Sequence, residues 1–168
     1  VILNASVNSV SLFLFQLSGA LSTHSIPGLR SPYDPVGGIV QFGRMLDKIR
    51  LHRDGRLPAD WVVAKGLDRG FDGRCCRFLH IDYAALEAET LKGGTDDELL
   101  EWAFTHGRRP GVEEIEIWNA FLSKSGWRDA NTERLHFRLA EAGLPIGTVH
   151  SMFDFLDLDE GRQVRTWS

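Results

Sequence analysis

Apolar residues between positions 39 and 49 repeat with the spacing of one helical face. They fall at Ile39, Phe42, Met45, Leu46 and Ile49, in steps of three residues with one adjacent pair, as in an amphipathic α-helix. Prolines and a Gly-Gly pair precede this run, and Asp54-Gly55 and Pro58 follow it. Both flanks are typical of helix boundaries. The pattern predicts a central helix over residues 39–53.

Shorter helical patterns follow along the chain, most of them ended by glycine. Asp72, Asp82 and Thr95 stand where N-caps are expected. The predicted helices cover residues 72–79, 83–92, 95–106, 112–124 and 129–142, with a last one from Thr148. Residues 61–64 fit a short strand or an extended loop. Since strands and helices do not alternate, we predict a mainly α fold: a compact single-domain bundle of about six helices, with room for one short strand pair.

The first 26 residues differ in composition from the rest of the chain. No Asp, Glu, Lys or Arg occurs before Arg30, and residues 10–17 resemble the apolar core of a signal peptide without its basic flank. A truncated signal peptide, a non-native extension and an added helix or strand all fit this segment. We expect residues 1–26 to be an apolar appendage and residues 27–168 to form the helical domain.

Composition excludes several classes of function. A chain of 168 residues with 43% hydrophobic and 25% charged residues is typical of one soluble globular domain. Its net charge of −4 gives no general attraction to nucleic acid or to an anionic membrane, so we expect neither as a partner. The two cysteines are adjacent and form no disulfide framework, which favours a cytoplasmic location.

Polar side chains occupy the other side of the predicted central helix. Arg44, Asp47, Lys48 and His52 lie there, beside a second apolar strip. A helix with two apolar strips is expected to be buried on both sides, where charges need partners. Two interpretations stay open. The charges form structural ion pairs, with Arg44 and Asp47 close enough on the helix to pair, or the cations line a pocket for an anionic ligand.

The cysteines are the candidates for a reactive site. Cys75 and Cys76 lie between Arg74 and Arg77, and nearby arginines and a helix N-terminus favour the nucleophilic thiolate. The alternative is that these thiols are small buried apolar groups. Asp72 and Arg74 belong to the same segment, and we expect them to join the polar face of the central helix.

No pattern indicates a metal or a cofactor. The histidines are scattered, and Glu133 and His136 form only half of a di-iron motif. The acidic run after Leu156 lacks the ligand spacing of a calcium loop, so we expect salt bridges to Arg162 or Arg165 instead. The aromatic residues Trp102, Trp118 and Phe121 fall in helical apolar stripes, and we expect them in the core. We predict no metal site and no cofactor.

Six segments resemble DUF5069, a bacterial family known as a domain of unknown function. They are SPYDPVGG (31–38), RMLDKIR (44–50), FDGRCCRFLHIDY (71–83), GGTDDELLEW (93–102), EEIEIWNAF (113–121) and FDFLDLDEGR (153–162). The resemblance covers most of the chain after residue 26 and implies a mainly helical fold. It implies no activity and assigns no catalytic residue.

The residues favour a non-catalytic, soluble helical domain that binds a small anionic ligand or a protein partner. The expected site is the polar face of the 39–53 helix, comprising Arg44, Asp47, Lys48 and His52, joined by Asp72, Arg74 and Cys75. The alternative is an enzyme of unknown reaction that uses Cys75 or the Asp47/Lys48 pair in a cleft with the 71–83 segment. A subunit of a larger assembly is a third possibility, indicated by an exposed apolar patch.

Overall fold

The computed structural model describes residues 25–166, and the helices within this range confirm a mainly α fold. They are α1 (Phe42–Arg53), α2 (Ala59–Ala64), α3 (Phe71–Leu79), α4 (Tyr83–Lys92), α5 (Asp96–His106), α6 (Val112–Ser123), α7 (Thr132–Glu141) and α8 (Met152–Asp159). Within the described range the only β-pairing is one isolated bridge, between Val36 and Ile39. The apolar segment expected to be an appendage lies almost wholly outside the described residues.

Two compact units divide the described chain. One comprises Ile26–Ser125, and residues 126–166 belong to the other. The longest helices have 12 residues, and no helix in residues 25–166 has the length and apolar composition needed to cross a bilayer.

Helix α1 is the centre of the first unit. It packs against α3 and α4, and α4 in turn packs against α5. The apolar positions predicted from the spacing are all 1% exposed or less, because the helix is covered on both sides as expected. Those positions are Ile39, Phe42, Met45, Leu46 and Ile49.

Helix α1 begins three residues later than the pattern predicts, because a tight turn precedes it. Val36 and Ile39 exchange backbone hydrogen bonds of 3.2 and 2.9 Å across Gly37 and Gly38. Both glycines have positive φ, of 53° and 82°, the conformation that a two-residue hairpin turn requires. Gln41 is also left-handed, at φ 72°. Ile39 therefore reaches the core from the turn.

The helix ends follow the caps that the sequence predicts at two positions and depart from them at others. The Asp82 side chain accepts a hydrogen bond from the Ala85 amide, and Thr95 forms a reciprocal capping box with Glu98. Asp72 is not a cap: α3 begins at Phe71, and the Asp72 carboxylate is buried inside the protein. Residues 61–64 are helical rather than extended, since they continue a helix that follows Pro58.

The second unit contains α7 and α8, which pack together. The last helix starts at Met152 instead of Thr148, because Ser151 supplies the cap by accepting from the Asp154 amide at 3.1 Å. Arg162 pairs with Glu160 and, at 3.5 Å, with Asp157. The expected salt bridge to Arg162 is confirmed.

Candidate functional site

A buried ion pair joins α1 to α3. Lys48 Nζ donates to both carboxylate oxygens of Asp72, at 2.6 and 2.5 Å. The amide of Gln41 and the backbone N–H of Gly66 donate to the same carboxylate, each at 2.9 Å. Lys48 is 7% exposed and Asp72 is 2% exposed. Each Asp72 oxygen accepts two hydrogen bonds, so protein donors replace the water that the buried carboxylate has lost.

The surroundings of Asp72 keep it ionised. Burial alone would raise its pKa, but the charge of Lys48 and the hydrogen bonds from Lys48, Gly66 and Gln41 outweigh burial and lower the pKa of Asp72 below its ordinary value. Tyr83 faces the same region. Its burial, and to a smaller extent the charge of Asp72, raises the pKa of its hydroxyl. Within the described range, Tyr83 Oη and Gln41 Oε1 are buried without a hydrogen-bond partner.

Cys75 and Cys76 lie beside this ion pair, and both are buried free thiols. Burial raises the pKa of Cys75 well above its ordinary value and the pKa of Cys76 to about 12. Cys76 Sγ lies 3.9 Å from the sulfur of Met45. The expected thiolate is not favoured: the charge of Arg77 lowers the pKa of Cys76, but burial outweighs it.

Asp47 belongs to a separate charge network on another side of α1. Arg30 binds it through Nε and Nη2, each at 2.7 Å, and through its backbone N–H at 3.0 Å. Asp96 bridges Arg30 at 2.7 Å and Arg50 at 2.6 Å. Burial opposes ionisation of Asp96, but hydrogen bonds from Arg50 and Arg30 outweigh burial and lower its pKa. This network ties the segment before α1 to the N-terminus of α5.

The remaining predicted site residues lie apart. Arg44 is 1% exposed; its Nη1 donates to the Arg30 carbonyl oxygen at 2.6 Å, and its guanidinium lies 5.2 Å from the ring centre of Trp61. His52, one helical turn after Lys48 on α1, is exposed. The structure therefore brings together Lys48, Asp72 and Cys75 but not the full predicted set, and the expected pairing of Arg44 with Asp47 is replaced by pairing of Asp47 with Arg30. Their role in binding stays a prediction.

An open apolar groove lies between α3 and α6. It has a volume of about 240 Å³ and is lined by Phe78, Glu114, Ile117, Trp118 and Phe121. Its floor is the stacked pair of Phe78 and Trp118, whose ring centres are 4.5 Å apart. Ile117 is 62% exposed and Phe121 is 47% exposed.

Two arginines border the groove, and they differ in whether a described carboxylate pairs with them. Arg108 lies 5.0 Å from the ring centre of Phe78 and pairs with Glu114. Arg74 lies 5.6 Å from the ring centre of Phe121, and its side chain has no hydrogen bond or ion pair to any residue in the range 25–166. The groove thus combines apolar surface with a guanidinium that no described residue neutralises.

Three hydrogen bonds hold α6, one wall of the groove, against the turn before α1. The Asn119 side chain accepts from the Val40 amide at 3.1 Å and donates to the Gly38 carbonyl oxygen at 2.7 Å. The Trp118 indole donates to the Val40 carbonyl oxygen at 3.4 Å. These contacts fix the orientation of α6, so the groove is formed before anything binds.

No group of three or more potential metal ligands occurs among residues 25–166.

A family model for a domain of unknown function, DUF5069, matches residues 26–162. The chain belongs to this family. The resemblance drawn from the six segments is therefore confirmed. A comparison with curated proteins finds no match.

Sequence reasoning missed the groove of this DUF5069 chain. The expectation that Phe121 lies in the core is wrong: the buried face of α6 centres on Trp118 and Leu122, and Phe121 is rotated about 100° from Leu122. The available signal was a second apolar stripe, Ile117 and Phe121, four residues apart on the same helix. Arg30 and Tyr83 carried no local signal, because their partners are distant in sequence.

Proposed function

We propose that this DUF5069 chain is a non-catalytic binding domain whose groove between α3 and α6 docks a protein partner. The partner would insert an apolar side chain against Phe78, Ile117 and Phe121 and place a neighbouring carboxylate on Arg74. The observation that carries the proposal is the Arg74 guanidinium, which lies beside exposed apolar surface and has no ion-pair partner among residues 25–166. Exposed apolar patches with a polar rim are typical of protein interaction sites.

The size of the groove favours a protein over a small molecule. Ligand pockets usually enclose about 300–1,000 Å³ and bury most of the ligand. A groove of about 240 Å³ whose walls are half exposed suits one or two side chains of a larger surface. The predicted anion site on α1 has less support, because Lys48 is already paired with Asp72 and Arg44 is buried.

The predicted alternative, an enzyme based on Cys75, also has less support. A catalytic cysteine needs access and a low pKa, whereas Cys75 is fully buried and burial raises its pKa. Two buried free thiols suit a reducing compartment, so we place the encounter in the cytoplasm.

A small probe of the partner's chemistry tests the proposal. N-acetylphenylalanine carries an aromatic ring and a carboxylate, and N-acetylphenylalanine amide is its neutral match. In a two-dimensional amide NMR titration of the full chain, we expect the acid to shift Phe78, Ile117 and Phe121 and to bind at least threefold more tightly than the amide.

The Arg74→Gln variant should bind acid and amide equally, because the charge that distinguishes them is gone. Arg77→Gln is the matched control: Arg77 lies on the same helix but is paired with Asp68, so this variant should behave like the wild type. Shifts confined to other regions, or a preference for the acid that survives in Arg74→Gln, would refute the proposal.

A further inference from the structure

The exposed positions on the outward face of α6 are spaced symmetrically about the middle of the helix. Its exposed residues are Glu113, Glu116, Ile117, Ala120, Phe121 and Lys124. Positions 113, 117, 120 and 124 are separated by four, three and four residues, so they lie along one face of the helix. Acidic residues occupy the N-terminal end, apolar residues the middle and a lysine the C-terminal end.

The charges on this face have no partner within residues 25–166. Glu113, Glu116 and Lys124 take part in no ion pair or side-chain hydrogen bond there, whereas Glu114, on the groove side, pairs with Arg108. The helix dipole explains why acidic residues lie near the N-terminus of α6 and a lysine near its C-terminus. It does not explain why these charges lie on the same face as Ile117 and Phe121.

An antiparallel second copy of α6 complements this face. With a two-fold axis midway between Trp118 and Asn119, Glu113 of each copy lies opposite Lys124 of the other. Ile117 then lies opposite Ala120, whose small side chain permits close approach of the helices. A parallel arrangement would instead bring like charges together.

We propose that the partner docked in the groove is a second copy of this chain, joined through antiparallel α6 helices. Each copy supplies apolar side chains that cover part of the other's groove. Two-fold interfaces use the same patch on both subunits, which the symmetric face provides. This inference rests on the proposed docking function and specifies its partner.

Charge reversal at one end of α6 tests the arrangement. In Glu113→Lys the introduced ammonium of each copy would oppose Lys124 of the other, and in Lys124→Glu the introduced carboxylate would oppose Glu113. We expect sedimentation velocity of the full chain, from about 5 to 500 μM, to show a wild-type dimer and at least tenfold weaker association for each variant. An equimolar mixture of the two variants restores both opposite-charge pairs, and its association should return to within threefold of the wild type.

Asp97→Lys is the matched control, since Asp97 is the exposed second residue of α5, as Glu113 is of α6. It should dimerise like the wild type. A monomeric wild type across the range, or a mixture no better than its components, would overturn the inference. Because a second copy would compete with N-acetylphenylalanine for the groove, repeating the titration on Glu113→Lys separates the two proposals. Arg74-dependent binding in a monomeric chain would keep the docking function and remove only the second copy as its partner.

Discussion

Replacing Lys48 by methionine should cost about 3 kcal/mol of unfolding free energy. The substitution keeps the apolar stem and removes the ammonium, which supplies two of the four hydrogen bonds to Asp72. Breaking a buried pair from one side costs about 3–5 kcal/mol, because the remaining charge is uncompensated. The donors on Gln41 and Gly66 remain, which places the loss at the lower end.

Urea unfolding followed by circular dichroism measures this loss. For a chain of this size, 1 kcal/mol corresponds to about 2–4 °C in melting temperature, so a fall of about 6–12 °C should accompany it. Lys92→Met is the control: its ammonium is on an exposed i,i+3 pair with Glu89, and it should change stability by less than about 0.5 kcal/mol. Adding Asp72→Asn to Lys48→Met should restore about 1–2 kcal/mol.

The unfolding free energy should change with pH in opposite directions in the wild type and in Lys48→Met. In the wild type the pKa of Asp72 is lowered, so its contribution is complete above about pH 4 and is lost as pH falls through the folded-state pKa. In Lys48→Met an unpaired buried carboxylate has a raised pKa, so the folded state binds the extra proton and stability rises as pH falls from about 7 towards about 5. A loss below about 1 kcal/mol, or the same pH slope in both proteins, would refute the reasoning.

Three further outcomes follow from local features. Thr95→Ala should cost about 1 kcal/mol in urea unfolding, because it removes the capping box of α5; an unchanged midpoint would contradict this. Gly37→Ala should cost more than about 1 kcal/mol in the same assay, since its φ is positive and the new Cβ would overlap the Leu100 side chain. Cys75 and Cys76 should react with a thiol reagent only after unfolding in guanidinium, and prompt native-state labelling of Cys75 would show that it is accessible.

Features encoded within a few residues were predictable from the sequence. The Thr95 capping box needs only Thr95 and Glu98, and the Asp82 cap needs only the next turn. The α1 core positions follow from a spacing that repeats within one helix. Each of these depends on neighbours in the chain, so propensity and periodicity are sufficient.

Pairings over long sequence separations were not predictable. Asp47 pairs with Arg30, 17 residues away, although Arg44 is its nearer basic neighbour. Asp72 is a residue type that commonly caps helices, yet its side chain turns inward to Lys48, 24 residues away. Several basic residues compete for each carboxylate, and only the packing of α1 against α3 and against the segment that holds Arg30 decides between them. The exposure of Phe121 depends in the same way on which face of α6 is turned inward.

The Val40 amide has an unusual acceptor, the side chain of Asn119, 79 residues further along the chain. Backbone amides in helices exchange with solvent when their own helix frays, whereas this one can exchange only when α6 moves away from the turn before α1. Its deuterium uptake is therefore a single-residue reporter of the detachment of α6. Because local openings have their own free energies, comparing Val40 with amides inside α1 separates release of this one helix from unfolding of the whole Ile26–Ser125 unit.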